Sequence, residues 1–317
     1  MLVVNQKTEE ALMDAIPTSG NLVALGDLGI TTRIHDVGSG PVVLMFHGNP
    51  DNADEWLPLI DRLRGGYRCI APDFPGYGES PEPPAAFTYS LADQMRFVDS
   101  VLEACDVAEP VVLVVHDTGG MVGTAWAAAN LARLSGMVIT NTVAFDGFDW
   151  FPIARQWGDS SIYGRARSWA AMAALGIGGG ALFKRAFGSQ CPQLDERQLE
   201  RFASSFACNR DAKRATLRQF RQVMRPDFFR DFAQMREKIV RAVPCRVLWG
   251  DQDQFIPVRY AHSYGCEQVT ILPDAGHWVA LTAPDALAAE VEAVHAQRSS
   301  VPLASSSKRS NLAGDAV

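Results

Sequence analysis

The run Val111-Val112-Leu113-Val114-Val115-His116-Asp117, followed by Thr118-Gly119-Gly120, limits the fold more than any other stretch of this 317-residue chain. An unbroken apolar, β-branched run with no polar alternation describes a strand buried on both faces, the habit of parallel sheets covered by helices. The run ends on a carboxylate and two glycines, and Met121 to Leu131 then has helical composition. The segment reads as strand, sharp turn, helix, with Asp117 at the turn and small residues crowded around it. An aspartate before a helix also serves as a plain N-cap, because its oxygen accepts free N–H groups and its charge suits the positive helix end. The rest of the chain decides between the two roles.

Similar strands recur on both sides of the turn. Leu22–Leu25 and Ile30–His35 read as an antiparallel pair with Gly26 and Gly29 in the connection. Pro41–Phe46, Tyr67–Asp73, Met137–Val143, Cys245–Gly250 and Gln268–Leu272 read as further strands. Between them, Ser90–Ala104 carries Leu91, Met95, Val98 and Leu102 on one helical face, and a last helix is expected from Pro284 to about Gln297. Strands alternating with helices imply an α/β class protein with a mostly parallel sheet flanked by helices. Between residues 145 and 242 the alternation stops and helical sequence takes over, so an inserted helical cap is expected there. The expected organisation is a core over 1–144, the cap over 145–242, the rest of the core over 243–297 and a Ser-rich disordered tail over 298–317. Residues before about Thr18 read as a helix or a loose arm. Gly176-Ile177-Gly178-Gly179-Gly180 has no preceding strand and no following Lys-Ser/Thr, which excludes a phosphate loop and leaves a flexible joint.

Composition narrows the partners. With 47% hydrophobic and 21% charged residues the chain can bury one large core. A formal net charge of −7 and the lack of a basic run beyond Lys308-Arg309 argue against nucleic acid. The N-terminal residues lack a basic start and a sustained apolar core, so neither a secretion signal nor a membrane span is expected, and the expected compartment is the cytoplasm. Six cysteines without CxxC spacing read as small core residues in a reducing compartment, not as a metal site.

If Asp117 acts as a nucleophile, it makes an ester of the enzyme that water must hydrolyse, which suits displacement at sp3 carbon better than acyl transfer. The serine-hydrolase turn is Gly-x-Ser-x-Gly; here Val115 stands at the first glycine, Asp117 at the serine and Gly119 at the second glycine. The hydrolysing water needs a base, and the partners would be a neutral histidine and an acid that fixes its tautomer. His277, after Gly276, is the candidate base, and Asp253, after the preceding strand, the candidate acid, with Asp251 and Asp146 as competitors. His35, His262 and His295 lie in stretches that read as exposed, and His47 and His116 flank turns. The turn His47-Gly48-Asn49-Pro50 offers a free backbone N–H at Asn49, which with that of Thr118 would form an oxyanion hole.

From about Asn21 to Gln297 the chain resembles the α/β-hydrolase superfamily, and within it the haloalkane dehalogenase and epoxide hydrolase branch. The resemblance rests on His47-Gly48-Asn49-Pro50, Asp73-Phe74-Pro75-Gly76-Tyr77-Gly78-Glu79-Ser80, His116-Asp117-Thr118-Gly119-Gly120, Asp253 and Gly276-His277. It implies the α/β-hydrolase fold with an inserted helical cap, a catalytic triad of Asp117, Asp253 and His277, and a cofactor-free, metal-free hydrolase acting on a small apolar organic substrate and water. Asn49 resembles the halide-holding asparagine of haloalkane dehalogenases, which implies cleavage of carbon–halogen bonds through an alkyl-enzyme ester. That family usually places Trp directly after the nucleophile, where this chain has Thr118, so the missing donor is sought among the cap residues Trp150, Trp157, Trp169 and Tyr163. Epoxide hydrolysis is the neighbouring reading, with cap tyrosines as proton donors and only Tyr163 in the cap. A ligand-binding or specialised biosynthetic protein that keeps the fold is the reading from another class.

Overall fold

The structure, a computed structural model, describes residues 20–300. Eight strands form one sheet: β1 Asn21–Leu25, β2 Ile30–Gly38, β3 Val42–Phe46, β4 Arg68–Pro72, β5 Val111–Asp117, β6 Leu134–Thr142, β7 Cys245–Gly250 and β8 Gln268–Leu272. Their spatial order is β1-β2-β4-β3-β5-β6-β7-β8. β1 and β2 pair antiparallel, as does β2 with β4, and the remaining neighbours are parallel. This is the α/β-hydrolase fold expected from the sequence.

The order places the site. β3 lies between β4 and β5, so the chain leaves β3 toward one side of the sheet and later returns on the other. Loops leaving the carboxyl ends of strands at such a reversal diverge and open a crevice. The loop after β3 begins at His47, and the turn after β5 follows Asp117.

Helices α1 Leu57–Leu63, α2 Leu91–Ala104 and α3 Thr118–Ala129 cover the sheet together with α10 Val279–Thr282 and α11 Pro284–Ser300. The residues buried on α2 are Gln94, Phe97, Val98, Val101 and Leu102, whereas Leu91 and Met95 are only partly covered. The β3 and β5 side chains alternate between two separate cores. Leu44, Phe46, Leu113 and Val115 join Phe97 and Trp126 on one face; Val43, Met45, Val112 and Val114 join Trp56, Ile60 and Val291 on the other.

Between β6 and β7 the regular elements are helical: α4 Pro152–Gly158, α5 Ile162–Leu175, α6 Ala181–Gln190, α7 Glu196–Phe202, α8 Arg210–Val223 and α9 Phe232–Ala242. The glycine run at 176–180 is the turn between α5 and α6, and Gly178, Gly179 and Gly180 all have positive φ there. Arg298 belongs to α11, so the chain is still helical where the tail was expected to begin. The expected N-terminal arm and the tail from residue 301 lie outside the described residues. Of the six cysteines, Cys69, Cys105, Cys191 and Cys245 are buried as expected, but Cys208 is exposed and Cys266 only half-buried.

One buried ion cluster ties the loops at the carboxyl edge to the sheet. Arg33 on β2, 2% exposed, donates from Nε to Asp73 Oδ2 at 2.9 Å and from Nη2 to Asp73 Oδ1 at 3.0 Å. Asp73 Oδ1 also accepts Ala53 N–H, and its Oδ2 accepts Glu79 N–H. The glycine-punctuated loop after β4 is thus folded around this carboxylate: a Cβ on Gly78, whose φ is +56°, would fall 2.2 Å from Asp73 Oδ2. Removing one partner strands the other charge without solvent. Arg33→Met is therefore expected to lower unfolding free energy by about 3–5 kcal/mol in urea titrations, and a loss within the range of an exposed pair would refute the assignment.

Candidate active site

Asp117 ends β5 in a conformation that an L-residue seldom adopts, with φ 42° and ψ −123°. Three glycines make room for it. A Cβ on Gly48 would lie 2.4 Å from Asp117 Cβ, one on Gly119 2.4 Å from the Phe46 carbonyl oxygen, and one on Gly120 2.0 Å from Thr142 Oγ1. The Thr142 hydroxyl donates to the Asp117 carbonyl. A residue held so far from its relaxed backbone needs a surrounding structure that over-determines it, and such strain gathers at functional turns. The Asp117 side chain makes no cap bond to α3, which removes the plain N-cap reading.

The Asn49 backbone N–H was expected to be free. It instead donates to Asp117 Oδ2 at 2.8 Å, so the loop after β3 holds one carboxylate oxygen and leaves Oδ1 as the other. Thr118 opens α3, where the first N–H groups of a helix lack intrahelical acceptors. His47 is locked as a neutral tautomer: its Nε2 accepts Phe74 N–H at 2.9 Å, and its Nδ1–H donates to the Gly48 carbonyl at 2.8 Å.

Asp253 follows β7 and His277 follows β8, and the structure brings them together: His277 Nδ1 lies 2.7 Å from Asp253 Oδ2. Asp253 is otherwise saturated. Its Oδ1 accepts Phe255 N–H and Ile256 N–H, and its Oδ2 also accepts Asn141 Nδ2 at 2.7 Å. Burial would raise its pKa, but the charge of His277 and the hydrogen bonds from His277, Ile256 and Asn141 outweigh it and hold the group below the usual carboxylate range. An ionised Asp253 keeps the proton on His277 Nδ1, which leaves Nε2 as the basic nitrogen. The competing acids Asp251 and Asp146 are exposed.

Two buried groups behind this pair were given no role from the sequence. Glu55 and His116 are each 1% exposed, and His116 Nδ1 stands 2.7 Å from Glu55 Oε1, an ion pair approached off the ring's donor axis. The His116 ring centroid is 4.4 Å from that of His277. Burial lowers the His116 pKa, but Glu55 overrides it and raises the group to about 9. His35, expected to be exposed, is buried with its Nε2 2.8 Å from Asp54.

The aromatic cap candidates separate. Trp150 packs against Phe148, Phe220 and Phe229, and Trp157 against Phe220. Tyr163 and Trp169 are corrected by the structure: they are 74% and 38% exposed, because α5 turns Gly164, Ser168 and Met172 inward and carries these two rings on its outer side. Among the described residues no group of three or more His, Cys, Asp or Glu side chains is arranged to hold a metal, and no helix is long and apolar enough to cross a membrane.

The Glu55–His116 pair links stability to pH. The raised His116 pKa contributes stability that is complete below about pH 6.5 and lost as pH rises through about 9, while the depressed Glu55 pKa contributes stability lost on acidification. Glu55→Gln should lower unfolding free energy at pH 6.5 and flatten its decline between pH 6.5 and 9. Urea midpoints across that interval check this, and equal slopes in both proteins would contradict the pairing.

Comparison with known proteins agrees with this fold. Residues 41–284 match the model of the α/β hydrolase fold family. A cis-3-alkyl-4-alkyloxetan-2-one decarboxylase of Xanthomonas campestris is 39% identical over 125 residues, which cover 37% of this chain and 42% of that protein. A haloalkane dehalogenase of Sphingobium indicum is 29% identical over 191 residues, or 59% of this chain and 63% of the relative. The chain thus matches less than two thirds of the length of either relative. The solved structure of an epoxide hydrolase from Vigna radiata superimposes with a TM-score of 0.67 at 19% identity, covering 87% of this chain and 97% of that one. The fold and the 244 residues spanned by the family match lead to one statement: this protein belongs to the α/β-hydrolase fold family.

Proposed function

We propose that this protein is a cofactor-free hydrolase that displaces a leaving group from sp3 carbon, with a small apolar haloalkane as substrate. The observation that carries the reading is a carboxylate at the strained elbow, one oxygen held by Asn49 N–H, on the same sheet edge as the His277–Asp253 pair. In the first step Asp117 Oδ1 attacks the carbon, the carbon–halogen bond breaks, and the halide leaves with the bonding pair. In the second, His277 Nε2 takes a proton from water, and the resulting hydroxide adds to Cγ of the Asp117 ester. Asn49 N–H, already on Oδ2, stabilises the oxyanion that forms there, together with the Thr118 N–H. Collapse releases the alcohol and restores the carboxylate; the water proton leaves from His277. Asp253 orients the imidazole and stabilises its charged form.

The aromatic residues of the cap support an apolar substrate. Phe220 lies one turn beyond Thr216 on α8, and Thr216 bonds Asn49, so the Phe220–Trp150–Trp157 cluster adjoins the leaving-group side. Thr118 after the nucleophile favours a second reading, opening of a strained oxygen ring. Tyr163, the cap tyrosine that this reading would use, faces solvent, which weighs against it. The Xanthomonas relative is named for an oxetan-2-one, a strained ring of the same kind.

His277→Ala separates the two steps. Incubated with 1-bromobutane, it should gain one butyl group on Asp117 by peptide mass spectrometry, while turnover falls by about 10^2–10^4-fold, as expected for loss of a positioned base. Absence of the adduct with every bromoalkane, epoxide and oxetan-2-one tried would defeat the mechanism; adducts from epoxides alone would move the assignment to ring opening.

A further inference from the structure

The side chain of Asn49 is held from the cap. Thr216 Oγ1 on α8 donates to Asn49 Oδ1 at 2.6 Å. Tyr77 OH, from the loop after β4, stands 3.1 Å from Thr216 Oγ1 and 3.4 Å from Asn49 Oδ1, and donates to Gln219 Oε1 on α8 at 2.8 Å. Each hydroxyl has a single proton, and the short contacts assign both: Tyr77 gives its proton to Gln219, and Thr216 gives its proton to Asn49. Burial pushes the Tyr77 pKa up and keeps it a donor.

The consequence lies at the other end of the amide. An asparagine amide is nearly symmetric in shape, and only its partners decide which end is oxygen. The structure sets Oδ1 toward the two hydroxyl groups, with the Thr216 hydroxyl as its donor. The Nδ2 group then points to the opposite side, and among the described residues no hydrogen bond takes it up. The backbone of the same residue is fixed by its N–H on Asp117 Oδ2. With both the main chain and the amide oxygen tied, two N–H bonds are left directed away from α8.

A second contact fixes the loop. Arg201 on α7 makes a two-pronged ion pair with the buried carboxylate of Asp51, its Nη2 3.0 Å from Oδ2. Cap helices thus hold the Asn49–Asp51 segment at both ends.

We infer that Thr216 is a positioning residue: from the cap, it orients the Asn49 amide so that Nδ2 is presented to the departing anion, and it makes leaving-group binding depend on the seating of α8. The inference rests on the proposed displacement at Asp117 and names the group that prepares its anion site. Thr118 in place of a larger donor makes that preparation matter more, since the Asn49 amide then carries a greater share of the anion's charge.

The test uses bromide as the probe and the full-length protein with an intact triad. The side-chain amide resonances of Asn49, assigned by their loss in Asn49→Asp, are followed by NMR during a bromide titration. In the wild type they should shift saturably. Thr216→Val keeps the shape but removes the donor, and should weaken bromide binding by about five- to tenfold, the worth of one hydrogen bond. Thr216→Ser should restore it, which a packing role alone would not. Equal bromide affinity in wild type and Thr216→Val, or no shift of the Asn49 amide in the wild type, overturns the inference even if Asp117 is alkylated in His277→Ala. Bromide binding that follows the Thr216 hydroxyl without any Asp117 adduct upholds the inference and overturns the catalytic reading.

Discussion

Everything at the carboxyl edge of the sheet depends on the backbone of one residue. Asp117 sits at φ 42° and ψ −123°, and three neighbouring positions cannot carry a Cβ without striking it or its supports. Strain of this kind costs on the order of 1–3 kcal/mol and persists only where the fold enforces it. Here the enforcement comes from β3 and β6: the Gly48 backbone pressed against the Asp117 side chain, the Phe46 carbonyl under Gly119 and the Thr142 hydroxyl on the Asp117 carbonyl. The turn lifts the carboxylate out of the sheet while the apolar strand beneath it stays fully buried.

The loop after β3 is the second organising element, because nearly every residue in it answers to a different part of the molecule. Asn49 meets Asp117 and Thr216, Asp51 meets Arg201, Asn52 meets Arg33, Ala53 meets Asp73, Asp54 meets His35, and Glu55 meets His116. Such a dense polar network in a low-dielectric interior is specific because each unmade bond is expensive. The His277 ring lies 4.4 Å from that of His116, whose ion-pair partner Glu55 belongs to the same buried layer.

The legible part of this protein is the local part. Unbroken β-branched runs marked the buried strands, and Asp117 before two glycines marked the elbow, because both signals are written in a few adjacent residues. Asp253 and His277 were visible because each follows a strand at the edge where parallel sheets expose their loops. Asn141 was missed although it stands next to the last residue of β6 at that same edge; its partner Asp253 is 112 residues away. Thr216 was missed for the same reason, being 167 residues from Asn49. Tyr163 and Trp169 were placed by composition, but the inward face of α5 is small because Ser168 bonds the Gln156 carbonyl and brings α4 close. Local polarity misled at His35, where a buried carboxylate supplies what solvent would have.

The alternation along β3 and β5 divides the labour of the chain. Leu44 and Val115 pack toward the core that continues into the cap, whereas Val43 and Val114 pack into a cluster closed by α1 and α11. The sheet insulates one cluster from the other, since substitutions without shared partners combine nearly additively. The cluster under α1 and α11 also reaches the site, because Ala275, Val279 and Ala280 within it flank His277. On the opposite face a change of one methylene is transmitted through Phe46 and Val115 to the turn that holds the carboxylate. Each side of that single layer of backbone therefore bears on the site, one through the turn at Asp117 and the other through the residues that flank His277.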